Sequence, residues 1–229
     1  MIREKTMHLH RIAVLAVCLI LCAASLTGCE KDFDAQGYVQ AVLDQLFQGE
    51  VDGAAGIMED VTKEELREQY EQALAGFVDN NIISGMDVSD AMRADYIEVC
   101  RRIFRSMRYN VQSAEKVSKT EYKVSVEISP ADVFSRFVEG VKQDSEEILQ
   151  KARNGEYSGT EEEISAQMQS EFLWHSYELL STYSEEITYG DKTTVTLRVT
   201  AGEDKQFSID EEELEELKIK ILRLDEIQD

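Results

Sequence analysis

The sequence predicts an α+β fold in which helices pack against a four-stranded, mainly antiparallel sheet. The prediction depends on the period of the apolar residues, which is helical over most of the chain but alternates near residues 109–128 and 193–209. Several N-terminal helices come first, followed by a β-hairpin, two long helices, a second β-hairpin and a C-terminal helix. Hairpins joined in this order make a meandering sheet.

Capping residues mark where the first helices begin. Asp34 precedes a helix whose apolar residues recur at helical spacing until Gly49 ends it. Residues 62–65 and 160–163 have the capping-box pattern, and Ser89 is expected to cap a helix that ends near residue 107.

The remaining helices and strands are predicted from changes in the spacing of the apolar residues between helical and alternating. Pro130, the single proline, is expected at the first position of a helix whose cap Asp132 completes. Asp210, with Glu213 three residues later, is expected to cap the last helix. Strands are expected to begin at Tyr109 and to cover residues 122–128, 193–200 and 206–209.

The N-terminal segment has the organisation of an export signal. Its first 11 residues hold three basic and one acidic side chains, and residues 12–26 are uncharged and apolar. This run of 15 residues is shorter than the about 20 that a membrane-spanning helix needs. Residues 1–28 are therefore predicted to be a signal peptide rather than a permanent transmembrane anchor.

The end of this segment, Leu26-Thr27-Gly28-Cys29, resembles a bacterial lipobox. In proteins with that motif the cysteine receives a diacylglycerol, with acyl chains such as palmitate, and a peptidase cuts before it. The resemblance implies cleavage between Gly28 and Cys29, a tether of residues 29–33, and a lipoprotein on the extracytoplasmic face of the cell membrane. Two acyl chains hold stably in a bilayer, whereas one does so only marginally. The alternative is an ordinary secretory signal in which Cys29 has no role.

The remaining chain is strongly acidic. Without the three basic and one acidic residues of 1–28, it has 201 residues with 21 basic and 45 acidic side chains, a net charge of −24. Such a charge repels nucleic acid, which we exclude as a partner, and also repels anionic headgroups, so the domain should stand off from the membrane. The length of residues 34–229 predicts a single domain.

Cysteine usage excludes an intramolecular disulfide in the mature chain. Cys18 and Cys22 lie in the predicted signal peptide and Cys29 would be lipid-linked, so Cys100 is the remaining free thiol. Because Cys100 lies in a helical apolar pattern, we expect it to be a small buried hydrophobic residue.

The segment from Phe172 to Tyr177 holds the single tryptophan and the single histidine outside residues 1–28. Trp174 lies nearly opposite the apolar face of its predicted helix, so either another helix covers it or it belongs to a partner surface. His175 lies on the margin of that face, as a boundary histidine bonded to a neighbour or as a general base in a pocket. Trp174, His175 and Tyr177 form the candidate ligand or partner surface.

Motifs for catalysis and cofactor binding are absent from the sequence. It contains no Gly-rich phosphate loop, no G-x-S-x-G and no zinc ligand set, so no catalytic residue, metal site or cofactor is predicted. The acidic run at 210–216 could collect divalent cations loosely, or be a solvated helix start. The sequence favours a non-enzymatic module that binds an envelope protein or a small ligand. The alternative is a small-molecule carrier or enzyme with a pocket between sheet and helices near His175.

Four stretches, residues 33–44, 49–55, 130–134 and 155–163, are similar to a family of uncharacterised Gram-positive lipoproteins whose mature part is a domain of unknown function. The resemblance covers essentially the whole mature chain. It implies a cone-shaped α+β fold of the nuclear-transport-factor-like or cystatin-like kind, with helices on a curved sheet. It transfers no catalytic residue, and a fold alone does not establish a function.

The lipid anchor can be tested by replacing its attachment residue. A Cys29→Ser variant should be released from the membrane, or should remain unprocessed at precursor size, because a serine hydroxyl cannot replace the lipidated thiol. Membrane fractionation with immunoblotting for size measures both outcomes. A variant that stays in the membrane fraction at mature size would show that Cys29 does not carry the anchor.

Overall fold

The computed structural model describes residues 24–25, 33–57, 61–202 and 206–227. Gly28 and Cys29, the predicted cleavage and lipidation positions, lie outside the described residues. The helices are α1 (Ala35–Leu43), α2 (Asp52–Ile57), α3 (Lys63–Phe77), α4 (Asp90–Arg105), α5 (Val133–Arg153), α6 (Glu161–Glu185) and α7 (Glu211–Ile221). The strands are β1 (Ala24–Ser25), β2 (Arg108–Lys116), β3 (Glu121–Ser129), β4 (Thr193–Ala201) and β5 (Gln206–Ile209). Short helical turns of other types follow α1 at 44–48, α3 at 78–82 and α7 at 224–227.

The sheet confirms the predicted α+β meander. Its order is β1-β5-β4-β3-β2, and all neighbouring strands are antiparallel. The two predicted hairpins are β2–β3 and β4–β5, with α5 and α6 between them. The two-residue strand β1 pairs with Gln206 and Phe207 and was not predicted. It belongs to the segment expected to be cleaved, so a chain that begins at Cys29 has β5 as an edge strand.

One face of the sheet is buried, as alternation predicts. Side chains at every second position of β3 and β4 are buried, whereas the intervening positions of β4 are exposed polar residues. Helix α1 contacts β2 and β3, and α7 contacts β4. The buried side chains of the sheet and of these helices belong to one hydrophobic core. The buried residues of the two central strands are Tyr122, Val124, Val126, Ile128, Val195, Leu197 and Val199.

Five predicted helix caps are confirmed, and one of them is Asp210, whose carboxylate accepts from Glu212 N and Glu213 N at the start of α7. The Asp34 carboxylate accepts from Gly37 N at 2.9 Å, and Ser89 accepts from Met92 N. Both predicted capping boxes are present, at Thr62 and at Thr160. These side chains satisfy backbone N–H groups that have no partner inside the helix, so each helix begins where the sequence indicates.

The prediction for Pro130 and Asp132 is wrong. Pro130 lies outside the helix, which begins at Val133, and Asp132 makes no side-chain cap. Its carboxylate instead accepts from Thr188 N at 3.0 Å and from Thr188 Oγ1 at 2.5 Å. The Glu213 carboxylate, on α7, likewise does not take part in the cap and accepts from Arg198 N and Nε on β4. In both cases the carboxylate accepts from donors that are distant in sequence, whereas the predicted cap at Asp210 is present.

Residues 130–132 and 188–190, which we call the junction, join the long helices to the sheet. Ala131 N donates to Ile221 O, and Gly190 N donates to Pro130 O, both at 2.8 Å. The ring of Tyr189 lies 3.7 Å from the guanidinium carbon of Arg108, and its hydroxyl donates to the backbone at the end of α4. The junction therefore fixes the point at which α5 leaves the sheet and the chain returns from α6.

Cys100 is a buried thiol, as predicted. It lies in α4 within the hydrophobic core, and burial raises the pKa of its thiol strongly. The thiolate needed for a reactive cysteine is therefore disfavoured.

A glycine closes the first helical segment. Gly49 has φ +70°, and a Cβ there would lie 2.8 Å from a ring carbon of Tyr70. We expect Gly49→Ala to lower the free energy of unfolding by at least about 1–2 kcal/mol, because the left-handed backbone disfavours a side chain and the ring must also move. Chemical denaturation measures this change.

Gly76→Ala is the matched control, because Gly76 lies in α3 with no atom within 4 Å of the added carbon. This change should raise stability by about 0.5–1 kcal/mol. Equal effects of the two substitutions would contradict the described conformation of Gly49.

Candidate functional site

The candidate residues lie on α6, which packs against α5 as a helical hairpin (residues 133–185). Gly140 permits the close approach of the two helices, because a Cβ there would lie 3.0 Å from Tyr183 Oη and 3.4 Å from Leu179. The Arg136 guanidinium lies 4.3 Å from the centre of the Tyr183 ring. These contacts set the register of the hairpin near the junction.

The side chain of His175, a residue of α6, lies against α5. Its Nδ1 is 2.6 Å from Asp144 Oδ1 on α5. The His175 side chain is 34% exposed and that of Asp144 is 13% exposed, so the pair is accessible from one side. The second carboxylate oxygen of Asp144 is buried and has no hydrogen-bond partner among the described residues. This arrangement matches the interpretation of His175 as a boundary histidine bonded to a neighbour.

A second polar group bridges the two helices one turn further along. Glu171 accepts from Lys151 Nζ at 2.5 Å and from Tyr157 Oη at 2.6 Å. These two donors, Lys151 first, lower the pKa of the Glu171 carboxyl, and Glu171 in turn raises the pKa of Lys151. Loss of solvent contact and then the bond to Glu171 raise the pKa of Tyr157 to about 12. The network holds the outer part of the hairpin together where few apolar side chains are buried.

Trp174 lies on the surface. It is 55% exposed, so no other described helix covers it. The Tyr177 ring is 6.3 Å from the Trp174 ring and meets the Tyr96 ring edge to face at 5.5 Å. Below them, Tyr96 Oη lies 2.5 Å from Ser176 Oγ and donates to Leu173 O at 3.0 Å. Trp174 thus projects from a rigid base of packed aromatic and hydrogen-bonded side chains.

The three candidate residues form two separate groups. Trp174 and Tyr177 share an aromatic surface beside α4, whereas His175 turns toward α5 and Asp144. Neither Asp144 nor Glu171 was predicted from the sequence. Both lie in regular helical patterns, and only the packing of α5 on α6 gives them partners. The length of the two predicted helices indicates that polar residues of one helix meet polar residues of the other, but it does not identify which residues pair.

The chemical capacity of the His175–Asp144 pair is limited by its surroundings. A histidine oriented by a carboxylate provides two of the three members of a catalytic triad, and the third is a nucleophile such as a serine hydroxyl. The adjacent hydroxyl, Ser176, is buried and bonded to Tyr96 and Leu173. In the part of the chain that the structure describes, no group of three or more His, Cys, Asp or Glu side chains is arranged to hold a metal ion.

A surface cleft of about 320 Å³ lies next to the junction, away from His175. Two cationic side chains border it, but Lys220 pairs with Glu216 and Arg223 pairs with Glu226. The cleft therefore offers little unpaired positive charge to an anionic ligand. Its lining residues are Pro130, Gly190, Asp191, Thr193, Lys220, Arg223, Asp225 and Glu226.

The Glu171 network predicts a pH-dependent contribution to stability. Because the pKa of Glu171 is below its ordinary value of 4.5, the carboxylate stabilises the fold above that pH, and the contribution is lost as the pH falls through the lowered value. At neutral pH, Glu171→Gln should cost about 0.5–1 kcal/mol. The cost relative to wild type should shrink at an acidic pH, as the pH falls through the lowered pKa of Glu171.

Denaturant titrations at both pH values test this prediction. Glu178→Gln on the same helix is the control, since Glu178 is exposed. An equal cost of Glu171→Gln at neutral and acidic pH would contradict it.

Among the described residues, no helix combines the length and apolar character that crossing a bilayer requires.

No protein-family model matches the chain. No curated protein matches it either. The fold is similar to the crystal structure of ycdA from Bacillus subtilis, a protein assigned as a lipoprotein, with a TM-score of 0.49 and 16% sequence identity. The similarity covers 82% of this chain and 56% of ycdA, so the chain spans little more than half of that protein. A likeness of this size assigns no family, and the nuclear-transport-factor-like or cystatin-like fold stays a prediction.

Proposed function

We propose that the protein is an extracytoplasmic lipoprotein, anchored by a diacylglycerol on Cys29, that serves as a non-enzymatic binding module of the cell envelope. Its partner is a protein that contacts the surface around Trp174 and Tyr177. The anchor is supported by the lipobox-like residues 26–29, which follow a basic and then an apolar segment.

The exposure of Trp174 is the observation that carries the binding surface. A tryptophan that is 55% exposed leaves a large apolar area in water, and the neighbouring Tyr177 ring extends this aromatic area. Tryptophan and tyrosine are also the residues most enriched among those that dominate binding energy. The residues beneath Trp174 are packed and hydrogen-bonded, so the helix that carries Trp174 is ordered before a partner binds.

The position of the surface suits a tethered module. The junction places the start of α5 and the end of α6 at the end of the sheet where β3 finishes and β4 begins. Phe33, which closes the predicted tether, contacts Tyr122 near the opposite end of β3. The helical hairpin is thus attached at the end of the sheet farther from the anchor.

A crosslinking experiment in intact cells tests the binding surface. A photoreactive residue at Glu178, one helical turn from Trp174, should give a discrete protein adduct at the cell surface. Trp174→Ala should reduce that adduct at least about five-fold, which corresponds to about 1 kcal/mol for the loss of an aromatic contact.

Leu149→Ala is the matched control, because Leu149 is a large apolar residue of the same hairpin and is 48% exposed. It should leave the adduct unchanged. Absence of any adduct, or equal losses in the two variants, would contradict the assignment of the surface to Trp174.

A second candidate function is a small-molecule carrier or an enzyme that uses His175. The hydrogen bond between His175 Nδ1 and the Asp144 carboxylate favours it, because an oriented, partly exposed imidazole can exchange a proton with a ligand. Ligand binding that is lost in His175→Gln but retained in Trp174→Ala would support this candidate. The opposite pattern would exclude it.

A further inference from the structure

Phe33 shows where the chain from Cys29 enters the fold. Its ring stacks on that of Phe207, with centroids 3.9 Å apart and 9° between the planes. The Phe33 ring also lies 5.9 Å from the Tyr122 ring. Tyr122 and Phe207 are the second residues of β3 and β5, so Phe33 marks the end of the sheet at which both strands begin.

The tether is short compared with the sheet. Four peptide steps from Cys29 to Phe33 span at most about 14 Å. Strand β3 has nine residues, so its ends lie about 26 Å apart. A lipid on Cys29 would therefore hold the end of the sheet marked by Phe33 near the bilayer surface, and would leave the other end away from it.

The tip of the β2–β3 hairpin, residues 116–120, lies at this same end, because Lys116 is paired with Tyr122 in the sheet. The N–H of Val117 donates to Glu121 O at 3.0 Å and closes the turn. Val117 is nevertheless 48% exposed, which is unusual for a large apolar side chain in this structure. The tip presents an apolar side chain on an ordered turn.

The charge of the tip is opposite to that of the rest of the molecule. Residues 116–120 include Lys116 and Lys119 and no acidic residue. Residues 115–123 hold three lysines and two glutamates, a net charge of +1, whereas residues 29–229 carry −24. Lysines beside an exposed apolar side chain form the combination that suits a surface of anionic lipid.

We propose that the β2–β3 tip is a membrane-contact site, at which Lys119 binds anionic phospholipid headgroups and Val117 enters the interface. The site rests on the proposed anchor, which brings the tip to the bilayer and raises its local concentration there. The acidic remainder is repelled by the same headgroups, so the protein stands on the tip and does not lie on the membrane.

Short-range fluorescence quenching in vesicles tests the site with the full lipidated chain. A tryptophan is introduced as Val117→Trp in a Trp174→Phe background, and the vesicles contain brominated phosphatidylglycerol or brominated phosphatidylcholine. The matched control is Leu149→Trp in the same background, because Leu149 and Val117 are both 48% exposed but Leu149 lies in the helical hairpin.

Residue 117 should be quenched in phosphatidylglycerol vesicles, and residue 149 should not be. Reversing the charge at Lys119 with Lys119→Glu should weaken the contact roughly five-fold or more, since each basic residue near an anionic surface contributes about that factor. Concentrated salt should act in the same direction.

Three outcomes would overturn the site: no quenching at residue 117, equal quenching at residues 117 and 149, or quenching that is the same in both lipids and insensitive to Lys119→Glu. Flotation of the vesicles separates these outcomes from a failure of the anchor. A chain that does not float with either vesicle contradicts the proposed function, whereas a chain that floats without quenching at residue 117 contradicts the contact site alone.

Discussion

The position of the helical hairpin depends on the backbone pairing of the junction. Residues 133–185 leave the sheet and return to it at one place, where Ala131 bridges Tyr189 and donates to Ile221 O. The Asp132 carboxylate does not cap α5 as expected, and instead accepts from the backbone N–H and the hydroxyl of Thr188. Two charge-assisted hydrogen bonds to a largely buried carboxylate are stronger than one cap bond, which explains why the distant donor wins.

The junction and Phe33 mark opposite ends of the sheet. At one end the aromatic stack of Phe33 on Phe207 joins the tether to the sheet. At the other end, α5 begins and α6 ends the hairpin that carries Trp174 on its surface and holds His175 against Asp144. With the proposed lipid on Cys29, the shortness of the tether would determine which surfaces can meet the bilayer and which remain open to a partner. The proposed contact at Val117 and the proposed surface at Trp174 are consequences of the same geometry.

Local patterns predicted most of the fold, and tertiary packing determined the rest. Capping boxes and alternating residues placed the helix starts and both hairpins, because these signals act within a few residues. The sequence also identified Cys100 as buried, and Trp174 as lying off the apolar face of its helix. It could not identify Asp144 as the partner of His175, 31 residues away, because no local signal connects them. Pro130 was misplaced for the same reason, since the competing partners of its segment lie beyond residue 187.

The central claim is that the chain is cut before Cys29 and held there by lipid, since the orientation of every other surface follows from that point. Intact-mass and N-terminal peptide analysis of the protein extracted from membranes measures this most directly. The account predicts a chain that begins at Cys29 with a diacylglycerol on its thiol. A membrane-derived chain with an unmodified Cys29, or one that begins at another residue, would contradict it.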